Sequence, residues 1–142
     1  MSTHNSDQSI RFEYIGVEQT LNSARLAELV EAIARNGFFV VPNVLSPTEV
    51  QIYLEKVLNV MERQTADFGK DFLLERGENG IARSLIEYDM EFTNLIEHKF
   101  VNDVLSKTVG STSILHLMNG ICLAANEKHS QRRWHRDFAK DF

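Results

Sequence analysis

The stretch TSILHLMNGICLAANEKHSQRRWHRDF runs from Thr112 to Phe138. Its first half is the strongest β-forming segment in the chain, rich in branched and long apolar residues with little charge. Alternation places Ile114, His116 and Met118 on one side and Leu115, Leu117 and Asn119 on the other. Gly120 permits a bend or bulge, residues 126–131 read as a turn, and residues 132–138 as the start of another strand. In that second strand His135 and Asp137 point to the same side, roughly 6.6 Å apart along the backbone. Trp134, Arg136 and Phe138 face the other way. An imidazole nitrogen and a carboxylate oxygen so placed can take adjacent positions on one octahedral metal ion. With a second histidine they make the facial triad of non-haem Fe(II) oxygenases. Taken alone, His-x-Asp reads first as a surface ion pair, with Asp137 answering Arg133 or Arg136.

Upstream the periodicity changes from two to 3.6. Leu26, Leu29, Val30 and Ile33 fall on one face of a helix over residues 22–36, and Gly37 suits its left-handed stop. FFVV (residues 38–41) reads as a short buried strand closed by Pro42 and Asn43. Ser46, Pro47 and Glu49 form an N-cap, a first-turn proline and a capping box. The helix they open is expected to run to about residue 65 with Val50, Leu54, Val57, Leu58 and Met61 towards the core. Residues 66–79, with Gly69 and Gly77, read as a charged loop able to lie over something. A third helix over residues 91–107 carries Phe92, Leu95, Ile96, Phe100, Val104 and Leu105 as its stripe, and Gly110 ends it. Helices therefore come first and strands last.

The chain has 142 residues, 43% of them hydrophobic and 25% charged, which fits one modest globular domain. Residues 1–12 read as a disordered tail and residues 13–142 as folded. A net charge of −5 argues against nucleic acid or an anionic membrane as the main partner. No apolar run approaches the ~20 residues of a membrane span. The lone Cys122, in an apolar stretch, reads as a buried small hydrophobe in a reducing, cytoplasmic compartment.

Three segments carry a family resemblance. NGFFVVPNVLSPTEVQIYLEKV (residues 36–57) resembles the N-terminal signature of the phytanoyl-CoA dioxygenase family. FVNDVLSKTVGSTSILHLMNG (residues 100–120) resembles that family's helix, glycine turn and first core strand, and QRRWHRDF (residues 131–138) its metal-binding strand. The resemblance implies an α+β fold, with N-terminal helices packed on the first strands of a double-stranded β-helix, a jelly-roll or cupin-like barrel that is incomplete in this chain. It implies an Fe(II)- and 2-oxoglutarate-dependent dioxygenase, with ascorbate as a reductant, that couples decarboxylation of 2-oxoglutarate to hydroxylation of a small organic substrate. His135 and Asp137 become two of the three iron ligands. Asp137 favours hydroxylation, since halogenating relatives replace the carboxylate with a small residue. Leu117, Asn119 and Ile121 are candidates for the 2-oxoglutarate pocket, or else residues of a plain core strand with a turn-forming Asn-Gly.

The family also uses a distal histidine and an arginine that clamps 2-oxoglutarate, both expected well beyond Asp137. The expectation is thus an N-terminal piece of a dioxygenase, inactive by itself. His4, His98, His116 and His129 read as structural or solvated rather than as substitutes. Arg83, Arg132, Trp134 and Phe138 are lesser candidates for substrate contact, with solvated or packing roles as the default. Two other readings stay open: a non-catalytic interaction module, and a metalloprotein that completes its site through another chain. Oligomeric state is not legible.

Overall fold

The computed structural model describes residues 23–126, together with His129 and Trp134. Two compact units divide these residues, one holding residues up to Thr48 with Leu95–Ile114, the other Glu49–Asn94 with the residues from Leu115 onward.

The first unit is helical. Helix α1 (Ser23–Asn36) packs against α6 (Lys99–Thr108). Leu29 and Val104, which the periodicity turns inward, are buried, as is Ala32, while Leu26, Val30 and Ile33 are half-buried. Gly37 closes α1 with φ 83°, and its N–H donates to the Ile33 carbonyl at 2.8 Å. Beyond it, Phe39 meets Phe100 edge to face, centroids 6.4 Å apart. The strand expected over residues 38–41 is reduced to a single bridging residue, Val40, and Phe38 and Val40 are exposed. The third helix is broken too. The chain makes a 3₁₀ turn (Met90–Phe92), a short α5 (Thr93–Ile96) and then α6. At the break the Asn102 side chain donates to the carbonyls of Ile96 (2.9 Å) and His98 (3.4 Å), satisfying groups that the interrupted helix leaves orphaned.

The second unit is built around α2 (Pro47–Phe68) and a two-stranded antiparallel ladder of β1 (Ile81–Ala82) and β2 (Gly120–Ile121), with Ile81 opposite Ile121 and Ala82 opposite Gly120. Its core is Val60, Ile81, Ala82, Leu85 and Phe92. The inward face of α2 keeps only Val57 and Met61 of the stripe expected, both half-buried. Tyr53, Lys56, Val57, Val60 and Gln64 turn inward, while Val50, Leu54 and Leu58 are exposed. The physical reason lies in two polar side chains that find partners inside. Gln64 donates to the Arg83 carbonyl at 2.7 Å and accepts from the Arg83 N–H at 3.0 Å. Lys56 bridges Asp89 (2.6 Å) and Glu91 (2.8 Å). A buried amide left without these bonds costs about 1–3 kcal/mol, enough to set the rotation of a helix whose apolar arc is broad. Residues 66–79 are not a loop. Gly69, at φ 86°, ends α2, and the chain re-enters a short helix, α3 (Lys70–Glu75). There the Phe68 and Phe72 rings stack at 6.3 Å and the Arg76 guanidinium lies over Phe72 at 4.4 Å.

The Lys56 cluster carries a pH signature. Hydrogen bonds to Asp89 and Glu91 push Lys56 up to about 12. The Lys56 hydrogen bond, then that of the Glu91 N–H, lowers the Asp89 carboxyl from its usual value of 3.8. A lowered carboxyl contributes stability that is present above the unfolded-state value and is lost as pH falls through the folded one. A raised lysine contributes below its unfolded value and loses that contribution only as pH rises through about 12. The cluster is therefore intact across the neutral range and fails in acid. Lys56→Met is expected to flatten the stability loss below about pH 4, read by urea midpoints against pH. Parallel wild-type and variant curves would show the cluster to be inert.

The long strand expected over residues 112–125 is regular only at Gly120–Ile121. Ile114, Leu115 and Leu117 are 87%, 50% and 58% exposed, so both expected faces meet solvent. Among the described residues, 114–117 make no backbone hydrogen bond, and a strand without a partner has no ladder to hold it. The molecule is thus mixed helix with sparse sheet, compatible with α+β. A barrel is not present among the described residues.

Candidate functional site

The residues that sequence reasoning assigned to a cosubstrate pocket sit on and beside β2. Ile121 is opposite Ile81 in the ladder, and Leu117 is exposed. Asn119 is engaged within the protein: its Oδ1 accepts the Ser84 N–H at 3.2 Å. One residue before it, the Met118 carbonyl accepts the Leu85 N–H at 3.0 Å. These bonds hold the entrance to α4 (Leu85–Tyr88), where Ser84 adopts a left-handed conformation, φ 51° and ψ 50°. A non-glycine residue in that region needs such support. Gln64 holds the preceding residue on both its backbone groups.

Residues 81–85 are thus fixed from three sides: by β2, by Asn119 with Met118, and by Gln64. Gln64 is a positioning residue that sequence reasoning missed. Its only signal was a polar residue seven positions after Val57 on the helix face that turns inward. Arg83, a candidate for an anionic substrate, instead forms a two-point pair with Glu78, Nε at 2.6 Å and Nη2 at 2.8 Å.

His129 is buried, 9% exposed, whereas Trp134 is fully exposed. Cys122 is half-buried, with its N–H donating to the Gly80 carbonyl at 2.8 Å. His135 and Asp137 lie outside the described residues, as do His4, Arg132 and Phe138. Among the described residues no three histidine, cysteine, aspartate or glutamate side chains are grouped to hold a metal ion, so His98 and His116 form no such centre there. No described helix is long and apolar enough to cross a membrane.

The family model for phytanoyl-CoA dioxygenase (PhyH) matches residues 33–140, a span that takes in the sheet, the Ser84 turn and all three signature segments. The chain belongs to the phytanoyl-CoA dioxygenase family. It is 29% identical over 124 residues to "Uncharacterized protein Mb1539" of Mycobacterium bovis and, equally, to "Uncharacterized protein Rv1501" of Mycobacterium tuberculosis. Each alignment covers 84% of this chain and 45% of the relative, so the chain spans about half the length of the curated relatives it matches. No solved structure matches it.

Proposed function

We propose that this chain carries the first part of the catalytic domain of an Fe(II)- and 2-oxoglutarate-dependent dioxygenase that hydroxylates a small organic substrate, with His135 and Asp137 as two of its iron ligands. The observation that carries the reading is the family match across residues 33–140, which includes the His-x-Asp segment. The donor set fits the metal: one neutral imidazole and one carboxylate are the borderline and hard ligands that Fe(II) takes in facial sites. When bound, the iron with 2-oxoglutarate supplies the oxidising chemistry. The distal histidine and the 2-oxoglutarate arginine are expected from sequence outside these residues.

The chain's own residues do the positioning. Ile121 is set in register by β1, and Asn119 ties the segment leading into β2 to the Ser84 turn. On this reading Asn119 shapes the pocket wall through that bond, and Leu117 and Ile121 offer it apolar surface. Residues 114–117, exposed at Ile114, Leu115 and Leu117 and without a backbone hydrogen bond among the described residues, support a role as a barrel strand that pairs with further strands.

The sequence supplies a built-in reporter. Trp134, the single tryptophan, is fully exposed and adjoins His135. Titration with Mn(II) or Co(II) is expected to quench its fluorescence saturably through the neighbouring paramagnetic ion. His135→Ala and Asp137→Ala are each expected to weaken the apparent affinity at least tenfold, about 1.4 kcal/mol. Quenching that is unsaturable, or unchanged in both variants, removes the metal assignment.

A further inference from the structure

The chain contains three Asn-Gly pairs: Asn36-Gly37, Asn79-Gly80 and Asn119-Gly120. Asparagine before glycine is chemically labile, because the following backbone nitrogen meets no side chain on its approach to the asparagine Cγ. The fold treats the three pairs differently, and we infer that Asn36 is a site of spontaneous deamidation in the native protein, while Asn79 and Asn119 are protected.

Gly120 is locked. It pairs with Ala82 in the ladder, and an added Cβ there would lie 2.6 Å from a Val57 methyl. The preceding Asn119 is held on the Ser84 N–H. Gly80 is locked as well. Its carbonyl accepts from Cys122, and a Cβ there would lie 2.6 Å from the Cys122 carbonyl oxygen. Gly37 has neither restraint. Asn36 and Gly37 are both exposed, and no atom of the described residues lies within 4 Å of a Cβ built on Gly37. Among the described residues the Asn36 side chain makes no hydrogen bond. One bond holds the attacking nitrogen, from Gly37 N–H to the Ile33 carbonyl, and it lies at a helix terminus, where such bonds open by fraying.

The reaction needs only water. The Gly37 nitrogen bonds to Cγ of Asn36, its proton and the side-chain nitrogen leave as ammonia, and water opens the resulting cyclic imide at either carbonyl. Opening one way gives aspartate. Opening the other gives isoaspartate, with an extra methylene in the backbone between α1 and residues 38–41. Either product places a carboxylate at the negative end of the α1 dipole, which opposes the helix.

The full chain incubated in warm, mildly alkaline buffer and read by peptide mass analysis tests this. Acid and isoaspartate are expected at position 36 at least several-fold faster than at 79 or 119. In urea the three rates are expected to converge, and Asn36→Gln is expected to abolish the early product. Native rates at 79 or 119 that match or exceed the rate at 36 overturn the inference. So does a rate at 36 no faster than at Asn59, which precedes Val60. A difference that persists unchanged in urea overturns it too, since it then belongs to local sequence and not to the fold.

Discussion

Phe92→Ala is expected to lower the unfolding free energy of the second unit by about 3–5 kcal/mol. Phe92 is 1% exposed and its ring meets that of Tyr53 at 5.9 Å. It lies in the 3₁₀ turn, next to the Lys56 bridge to Asp89 and Glu91. Truncation removes an aromatic ring that packs on Tyr53 of α2, in a turn whose backbone is held where the Asp89 side chain accepts the Glu91 N–H at 2.9 Å. Little collapse is available, so the cost belongs at the upper part of the range seen for buried aromatics. Against a typical small-domain stability of about 5–15 kcal/mol, that loss is large enough to populate unfolded chain in water. Urea unfolding followed by circular dichroism measures it. A loss under about 1 kcal/mol would place the centre of the unit elsewhere.

Gly120→Ala is the second large effect, and it runs through crowding instead of a void. A Cβ at this position meets Val57 Cγ1 at 2.6 Å and Cγ2 at 3.1 Å. Valine is stiff about its first torsion, so the methyls do not swing aside cheaply. Either α2 lifts from β2 or the ladder at Ala82 and Gly120 opens. Overpacking of this kind costs about 1–3 kcal/mol. The double variant Gly120→Ala with Val57→Ala is expected to be more stable than the sum of the two single losses predicts, because the second change removes the clashing methyls. Strict additivity would mean that the helix does not rest on this glycine.

The parts of the fold that local rules govern were legible in the sequence. The start of α2 at Pro47, the stop of α1 at Gly37 and the buried Leu29 and Val104 all follow from capping chemistry and helical period. Where the structure departs from the helical and strand periods, the cause is a hydrogen-bond or ladder partner that the periodicity does not encode. Rotation of α2 was set by what Gln64 and Lys56 bond to, at Arg83, Asp89 and Glu91. The break before α6 was set by Asn102 reaching back to Ile96. The regular part of β2 is as long as the partner it has among the described residues, the two residues of β1.

The candidate site divides in the same way. Family membership rested on three short matches in order, and it holds across residues 33–140. The role of Asn119 did not follow from its alternation, since only the folded chain brings the Ser84 N–H to its Oδ1. His135 and Asp137 lie outside the described residues, and the proposal that they hold iron is argued from donor chemistry and from their place within the matched span.

The most direct measurement is paramagnetic broadening by sub-stoichiometric Mn(II) in isotopically labelled protein, because it locates the ion residue by residue. The account predicts that the Trp134 indole, the His135 ring and the Asp137 amide disappear first and together, and that His135→Ala abolishes this selective loss. Broadening centred on another acidic cluster, such as Asp89 with Glu91, with residues 134–137 unaffected, would contradict it.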